Sequence, residues 1–273
     1  MRGRAAGRDG RTTDERTMED PQGAPPEMLS VRPVEKTATA MGLADIWGDE
    51  HCESSSDSDE QGVAVVSDSA SAGGLDAFVL GGVLSSSQCA ALVRASERLN
   101  YTFWNANPDA KRDFRSAFTV EVQSEEFAEY VWNRIRPHVT PRVVIAPGDP
   151  RWQRDIEGEW VAYGVNPSLV LARYRDGGHF SPHTDGYTIV DFNRRSLYSL
   201  LLYLNDCGGG GATRLFAPED TTALKFALDE GGRFRWDEAS VKFSCPARVG
   251  TALAFYQDIP HEGEPVAGSN HEK

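Results

Sequence analysis

Arg173-Tyr-Arg-Asp-Gly-Gly-His-Phe-Ser-Pro-His-Thr-Asp-Gly186 and Phe255-Tyr-Gln-Asp-Ile-Pro-His-Glu-Gly263 are the two stretches on which the fold and chemistry of this chain turn. In the first, His183 and Asp185 flank a single residue. In an extended segment, residues i and i+2 point to the same side, so both side chains can reach one ion. His261 lies 78 residues further on, just past an apolar run at 251–256 that reads as a strand. Two neutral imidazoles and one carboxylate hold Fe(II) on one face and leave the opposite positions open for substrate and O₂. His183, Asp185 and His261 are therefore the candidate metal-binding and catalytic residues. Three ligands including a carboxylate also suit catalytic zinc. No zinc hydrolase signature such as His-Glu-x-x-His is present, which ranks zinc behind iron. The other histidines, His51, His138, His179 and His271, read as surface or hydrogen-bonded side chains.

Outward from these stretches, the pattern from Trp160 onward is β. Strands are expected at 160–164, 168–174, 197–204, 212–216, 241–244 and 251–256. Turn signals separate them at Asp176-Gly-Gly178, at Gly208 to Gly211, and at Gly231-Gly232 inside a possible hairpin. Upstream, Phe78-Val-Leu80 reads as a short strand. Ser85 with Gln88 three residues on forms a capping box that opens a helix to about Leu99, with Cys89, Leu92, Val93, Ser96 and Leu99 on its apolar face. A strand is expected at 118–122. Ser124 then caps a second helix with Phe127, Val131 and Ile135 inward, and Pro137 closes it. Two helices followed by many short strands suggest a mainly β (α+β) domain, a β-sandwich or jelly roll with N-terminal supporting helices.

The chain is acidic, with a formal charge of −13 over 273 residues. That balance argues against nucleic acid and anionic membrane surfaces as partners. The charge is uneven: residues 1–75 carry seven Lys/Arg against fifteen Asp/Glu, a net of −8, which leaves −5 for the rest. Residues 1–74 read as a disordered low-complexity tail, rich in Gly, Pro, Ser, Thr and charge and poor in large apolar residues. It opens basic, with Arg2, Arg4, Arg8, Arg11 and Arg16, and turns acidic at 52–60, where serines beside acids are candidate phosphorylation sites. One apolar island, Met41-Gly-Leu-Ala-Asp-Ile-Trp47, places Leu43, Ile46 and Trp47 on one helical face and is a candidate docking segment for a partner. The four cysteines, Cys52, Cys89, Cys207 and Cys245, form no Cys-x-x-Cys pair and read as isolated thiols of a reducing compartment. No apolar run approaches the roughly 20 residues of a membrane span. No secretory signal opens the chain. A cytoplasmic or nuclear location is the expectation.

Residues 160–268 resemble the catalytic domain of 2-oxoglutarate- and Fe(II)-dependent dioxygenases, specifically its prolyl 4-hydroxylase alpha-subunit-like branch. Beside the two stretches above, the resemblance rests on Trp160-x-x-x-Gly-Val-Asn166, Arg195-Ser-Leu-Tyr-Ser-Leu-Leu-Leu-Tyr-Leu-Asn205, Gly-Gly-Ala-Thr-Arg-Leu-Phe216 and Gly250-Thr-Ala-Leu-Ala-Phe, with Glu-Gly-Glu-Pro-Val266 after His261. Order, spacing and chemistry agree across all of them. It implies a double-stranded β-helix (jelly roll) at 160–273, helical support at 75–159, and Fe(II) held by His183, Asp185 and His261. It also implies hydroxylation of a C–H bond, most simply of a prolyl residue in a protein or peptide substrate. 2-Oxoglutarate would be the cosubstrate, succinate and CO₂ the products, and ascorbate the reductant. Tyr203 occupies the place of a tyrosine that binds the distal carboxylate of 2-oxoglutarate, and Tyr174 that of a tyrosine lining the same pocket. A tyrosine in a strand is equally a core residue, provided its hydroxyl finds a partner.

The family pattern continues after Pro-Val with Gly, a short gap, Lys, and a strand bearing an Arg. Lys273, twelve residues past His261, aligns with that Lys and is the candidate cosubstrate anchor; the strand does not follow it. The last strand is therefore expected to be missing and the domain, 75–273, to be C-terminally truncated, with an unpaired sheet edge. The alternative reading is a catalytically dead binding module or a truncated isoform of such an enzyme.

Overall fold

The computed structural model describes residues 62–153, 155–217, 227–228, 234–235 and 238–267. All of them belong to the compact unit Ala38–Lys273; the second unit, Met1–Thr37, lies outside the described residues, as do the docking segment 41–47, the acidic stretch 52–60 and Lys273. Regular structure begins before the expected boundary at Leu75. Strand β1 (Ala64–Ser67) pairs antiparallel with β2 (Ala77–Gly81), Ala64 opposite Gly81 and Val65 opposite Leu80. The tail expectation at 62–74 is corrected accordingly. The short run Val63-Ala-Val-Val66 is swamped in a window of Gly, Ser and Asp, yet the open edge of β2 satisfies its backbone groups. Val65 and Val66 stay exposed, as fits an edge strand, while Ala72 and Leu75 are buried beneath the turn.

The helix Ser86–Ser96 starts as its sequence dictates: Ser85 Oγ accepts from the Gln88 amide at 3.1 Å, and Gln88 Oε1 accepts from the Ser85 amide at 2.9 Å. Ser124 Oγ accepts from the Phe127 amide at 3.2 Å and opens the helix Glu125–Ile135. That helix buries Phe127, Val131 and Ile135 at i, i+4, i+8 spacing. Pro137 falls in a 3₁₀ turn, Arg136–His138, that ends it. A short helical turn covers Pro108–Lys111. The inward faces of the two longer helices share one core with Leu80, Val122 and Ala252 of the strands and with Val83 of the bend after β2. No helix among the described residues is long and apolar enough to cross a membrane.

The rest is mostly strand. In chain order come β3 (Thr102–Phe103), β4 (Phe118–Gln123), β5 (Arg142–Ile145), β6 (Gly158–Val161), β7 (Ser168–Arg173), β8 (Phe180–His183), β9 (Ile189–Asp191), β10 (Arg194–Arg195) and β11 (Tyr198–Leu202). Then follow β12 (Thr213–Phe216), β13 (Ala227–Leu228), β14 (Phe234–Arg235), β15 (Val241–Cys245), β16 (Ala252–Tyr256) and β17 (His261–Gly263). β13 and β14 pair with each other, as the Gly231-Gly232 turn suggests. Two four-stranded antiparallel sheets dominate, in the orders β1-β2-β16-β11 and β15-β12-β17-β8. Val79, Leu253 and Phe255 of the first pack with Leu215 and Cys245 of the second in one buried cluster. Of the interior strands, β2 and β16 are apolar on both faces, whereas β12 and β17 carry the buried ion pair Arg214–Glu262. Ala252–Tyr256 is buried throughout because the helix-bearing core covers its other side.

Candidate metal centre

His183 ends β8 and His261 opens β17, and these two strands are neighbours in the second sheet with the two histidines directly opposite each other. Asp185 lies two residues beyond His183, where its amide donates to Gln257 O at 3.1 Å. Gln257 Nε2 donates to Gly186 O at 2.7 Å, so the loop carrying the carboxylate is tied to the end of β16. The three ligand atoms lie within 4.8 Å of one another. His183 Nε2 is 3.6 Å from Asp185 Oδ1, and His261 Nε2 is 3.6 Å from Asp185 Oδ2. Those separations are too long for hydrogen bonds and short enough for one ion to bridge.

Both imidazoles are fixed by their far nitrogens. Nδ1 of His183 donates to Ser181 O at 2.7 Å, and Nδ1 of His261 donates to Ile259 O at 2.9 Å. Each ring therefore keeps its proton on Nδ1 and turns the Nε2 lone pair to the common centre. Phe180 stacks on His183 with ring centroids 3.5 Å apart, and Phe255 meets His261 edge-on at 4.6 Å. The aromatic walls hold the rings and exclude water on that side.

The protonation states are those of ligands. Burial alone would raise the Asp185 carboxyl, but the facing imidazoles of His183 and His261 and the Ser199 hydroxyl outweigh it and hold its pKa at about 2. Burial, helped by the neighbouring His183, pushes His261 down to about 4, against the pull of Asp185. Near neutral pH the centre thus presents an ionised carboxylate and a neutral His261 imidazole. Two imidazole nitrogens and a carboxylate on converging lone pairs fit a divalent ion of intermediate softness.

The expected cosubstrate residues fall behind this centre. Tyr203, just past β11, is buried in the core between the sheets and donates to Thr213 Oγ1 at 2.8 Å. Burial raises its pKa well above the usual value, with Cys245 and Tyr174 close enough to add to the shift. Tyr174 is half-buried as a whole residue, while burial of its phenol raises its pKa against the pull of Arg115. Tyr174 lies close enough to feel the Asp185 charge, and close enough to Tyr203 to act on it. Of the plain histidines, His179 is buried and bonded through both nitrogens to the carbonyls of Gly177 and Asp113.

Sequence reasoning missed Ser199, whose hydroxyl donates to Asp185 Oδ2 at 2.5 Å. The signal was its phase: Ser199 stands at i, i+2, i+4 with Leu201 and Tyr203, hence on the same inward face. It also missed Thr213, the acceptor for Tyr203, whose position shows only once β12 is set beside β15 and β17.

Residues 169–273 match the family model of the 2OG-Fe(II) oxygenase superfamily. That stretch contains His183, Asp185 and His261, and over it the likeness to 2-oxoglutarate/Fe(II) oxygenases drawn from the motifs is shown. No curated protein matches the chain. Among solved structures, the chain is similar to a viral collagen prolyl hydroxylase from Paramecium Bursaria Chlorella virus-1 in its 2OG complex. The identity is 17%, over 73% of this chain and 92% of that one, with a TM-score of 0.41. A Pseudomonas putida prolyl-4-hydroxylase is similar at 13% identity, over 72% of this chain and 88% of that one, also with a TM-score of 0.41.

Proposed function

We propose that this chain is an Fe(II)- and 2-oxoglutarate-dependent dioxygenase that hydroxylates a C–H bond, of a prolyl residue in a protein or peptide. The convergence of His183, Asp185 and His261 within the oxygenase segment carries this reading. The prolyl assignment draws its support from the run of motifs across 160–268. When bound, Fe(II) with 2-oxoglutarate and O₂ supplies the oxidation: one oxygen atom goes to the keto acid, which leaves as succinate and CO₂, and the other to the substrate C–H bond. Ascorbate is the reductant we assign, and the cytosol or nucleus the location. Nucleic acid and membrane are not partners in this reading, and 41–47 remains a candidate docking segment.

The chain's own residues have simpler tasks. His183 and His261 offer Nε2 because their Nδ1 protons are engaged by Ser181 O and Ile259 O. Asp185 stays ionised and is steadied by Ser199. Phe180 and Phe255 hold the rings and keep water from their flanks. Tyr174 and Tyr203 are the residues we assign to the cosubstrate pocket; the phenols of both are buried.

The test is an anaerobic titration of the purified protein with Fe(II) and 2-oxoglutarate, followed by the visible charge-transfer band of the chelate. The band should form in the wild type and vanish in His183→Ala. Proline-containing peptides incubated with O₂ should then gain one oxygen by mass as succinate appears. Zinc occupancy with no response to 2-oxoglutarate would sink the proposal.

A further inference from the structure

β7 and β11 are edge strands that border the same core. β7 closes one side of the sheet β3-β4-β7, and β11 one side of the sheet β1-β2-β16-β11. Among the described residues no strand or bridge pairs with the outer side of either. Yet Leu169 and Leu171 of β7 and Leu200 and Leu202 of β11 all pack on the core that carries the two longer helices. One residue past each strand, the phenols of Tyr174 and Tyr203 lie close enough to act on each other. The two free edges therefore flank one seam.

The backbone on both sides of the seam is turned towards it. Tyr203 N donates to Thr251 O at 2.9 Å and Gln257 N to Leu197 O at 3.0 Å, so the odd-numbered residues of β11 bond to β16. Tyr198, Leu200 and Leu202 then point their amides and carbonyls to the free edge. Ser124 N donates to Pro167 O at 2.9 Å, which sets the phase of β7 against β4 and leaves Val170 and Ala172 facing outward in the same way. The side chains beside the seam are apolar and half covered. Every residue of β11 is only partly buried, while its partner β16 is buried from Ala252 to Tyr256. Val170 is 57% exposed, although alternation puts it on one face with Ala172 and with Tyr174, whose phenol is buried.

Unpaired backbone groups beside half-covered apolar side chains are the setting into which an extended segment adds. A strand placed here would be covered on both faces, and such strands read as near-continuous apolar runs. Upstream of β1, the segment Met41-Gly-Leu-Ala-Asp-Ile-Trp47 has that character, with Asp45 its one charge. Read as a strand, it puts Met41, Leu43 and Trp47 on one face and Ala44 and Ile46 on the other. Its length suits the five residues of β11 and the six of β7. From β1 to the far side of β11 is four strand spacings, about 19 Å. Residues 48–61 join Trp47 to Gly62, and a chain of that length reaches up to about 46–50 Å. We propose that residues 41–47 insert between β7 and β11 of their own chain as an added strand. β11 also carries Ser199, which bonds Asp185, so the added strand would steady the metal site from behind. The assignment does not depend on the reaction proposed above.

The experiment is hydrogen–deuterium exchange on the full chain, wild type against Leu43→Asp/Ile46→Asp. The amides of Val170, Ala172, Leu200 and Leu202 should exchange about 100-fold slower in the wild type than in the double variant, as two or three added hydrogen bonds imply. The amides of β16 and of the helix Glu125–Ile135 should stay equally protected in both. Fast exchange at the four seam amides in the wild type, or equal exchange in the two chains, would overturn the assignment. Protection that is lost on dilution, with a dimer seen by light scattering, would overturn it in favour of a strand from a second copy. Should the double variant fail to fold, Trp47→benzoylphenylalanine decides: irradiation should link position 47 to β7 or β11 within one chain, and links only to other segments would overturn the proposal.

Discussion

Replacing Ser199 by alanine tests how much of the metal site is built by a residue that touches no metal. The substitution removes the hydroxyl that donates to Asp185 Oδ2 at 2.5 Å. A hydrogen bond to a charged acceptor contributes about 1.5–3 kcal/mol, which at about 1.4 kcal/mol per tenfold is about 10- to 150-fold in an equilibrium constant. The Asp185 side chain is 31% exposed, so water can replace part of what the hydroxyl supplied, and the lower end applies. Loss of a partner that orients a ligand independently predicts a penalty of about 10- to 100-fold in metal affinity. Fe(II) affinity should therefore fall about tenfold in Ser199→Ala, because the freed carboxylate must be re-ordered each time the ion binds. The assay is anaerobic competition against a chromophoric chelator, with melting of the metal-free protein as the control. An affinity within about twofold of wild type, well below that penalty, would refute the reasoning. An unchanged affinity accompanied by a lowered melting temperature would do the same, since it would make Ser199 a structural residue only.

Gly250 has φ +75° and a Cβ there would sit 2.2 Å from Leu84 O, so Gly250→Ala should cost at least about 2 kcal/mol of stability in urea denaturation. The side chain of Arg214 is 4% exposed and that of its partner Glu262 3%; Arg214→Met alone should cost about 3–5 kcal/mol, and adding Glu262→Leu should recover much of it, because one buried charge left alone is worse than none. In the metal-free protein the folded state refuses a proton at His261 until about pH 4 while the unfolded chain accepts it near 6.5. The unfolded state thus binds more protons in that window, so stability should fall by about 3 kcal/mol as pH drops from 6.5 to 4, and His261→Gln should flatten the slope.

The metal ligands were legible because their chemistry imposes a short-range pattern. A His-x-Asp pair must share one side of an extended segment, and that constraint survives in one dimension. The strands that carry the ligands were not. β8 reads Phe-Ser-Pro-His after two glycines, and Pro182 removes an amide that a central strand would need. It is tolerated because β8 is the last strand of its sheet, and beyond it lies only the short bridge at Arg115, which bonds Ser181 N and His179 O and asks nothing of Pro182. β17 has three residues, too few for any period to show. Both strands exist because β12 and β15 hold their partners in place, which is tertiary information. β1 was lost for a related reason: a valine run in a polar tail becomes a strand only where β2 offers an open edge. The two helices were read closely, since capping and i, i+4 spacing are local.

Arg115 marks the limit of sequence reading more sharply. It sits in Lys111-Arg-Asp-Phe-Arg115, a run that looks like any solvated charge cluster. Only the bridge to Phe180 turns one of these arginines inward, and that contact spans 65 positions between residues 115 and 180. The same bridge couples the segment before β4 to the metal site, because Phe180 is both the neighbour of Arg115 and the ring that lies on His183. A one-residue slip of β8 against β17 would turn His183 away from His261. It would also carry Phe180 from under Arg115, so the ligand pair and the cation behind it depend on a single register. Metal affinity should therefore fall in variants that loosen β8, with loss of the Phe180 stacking on His183, and should fall without that loss in Ser199→Ala, which leaves the strand in place.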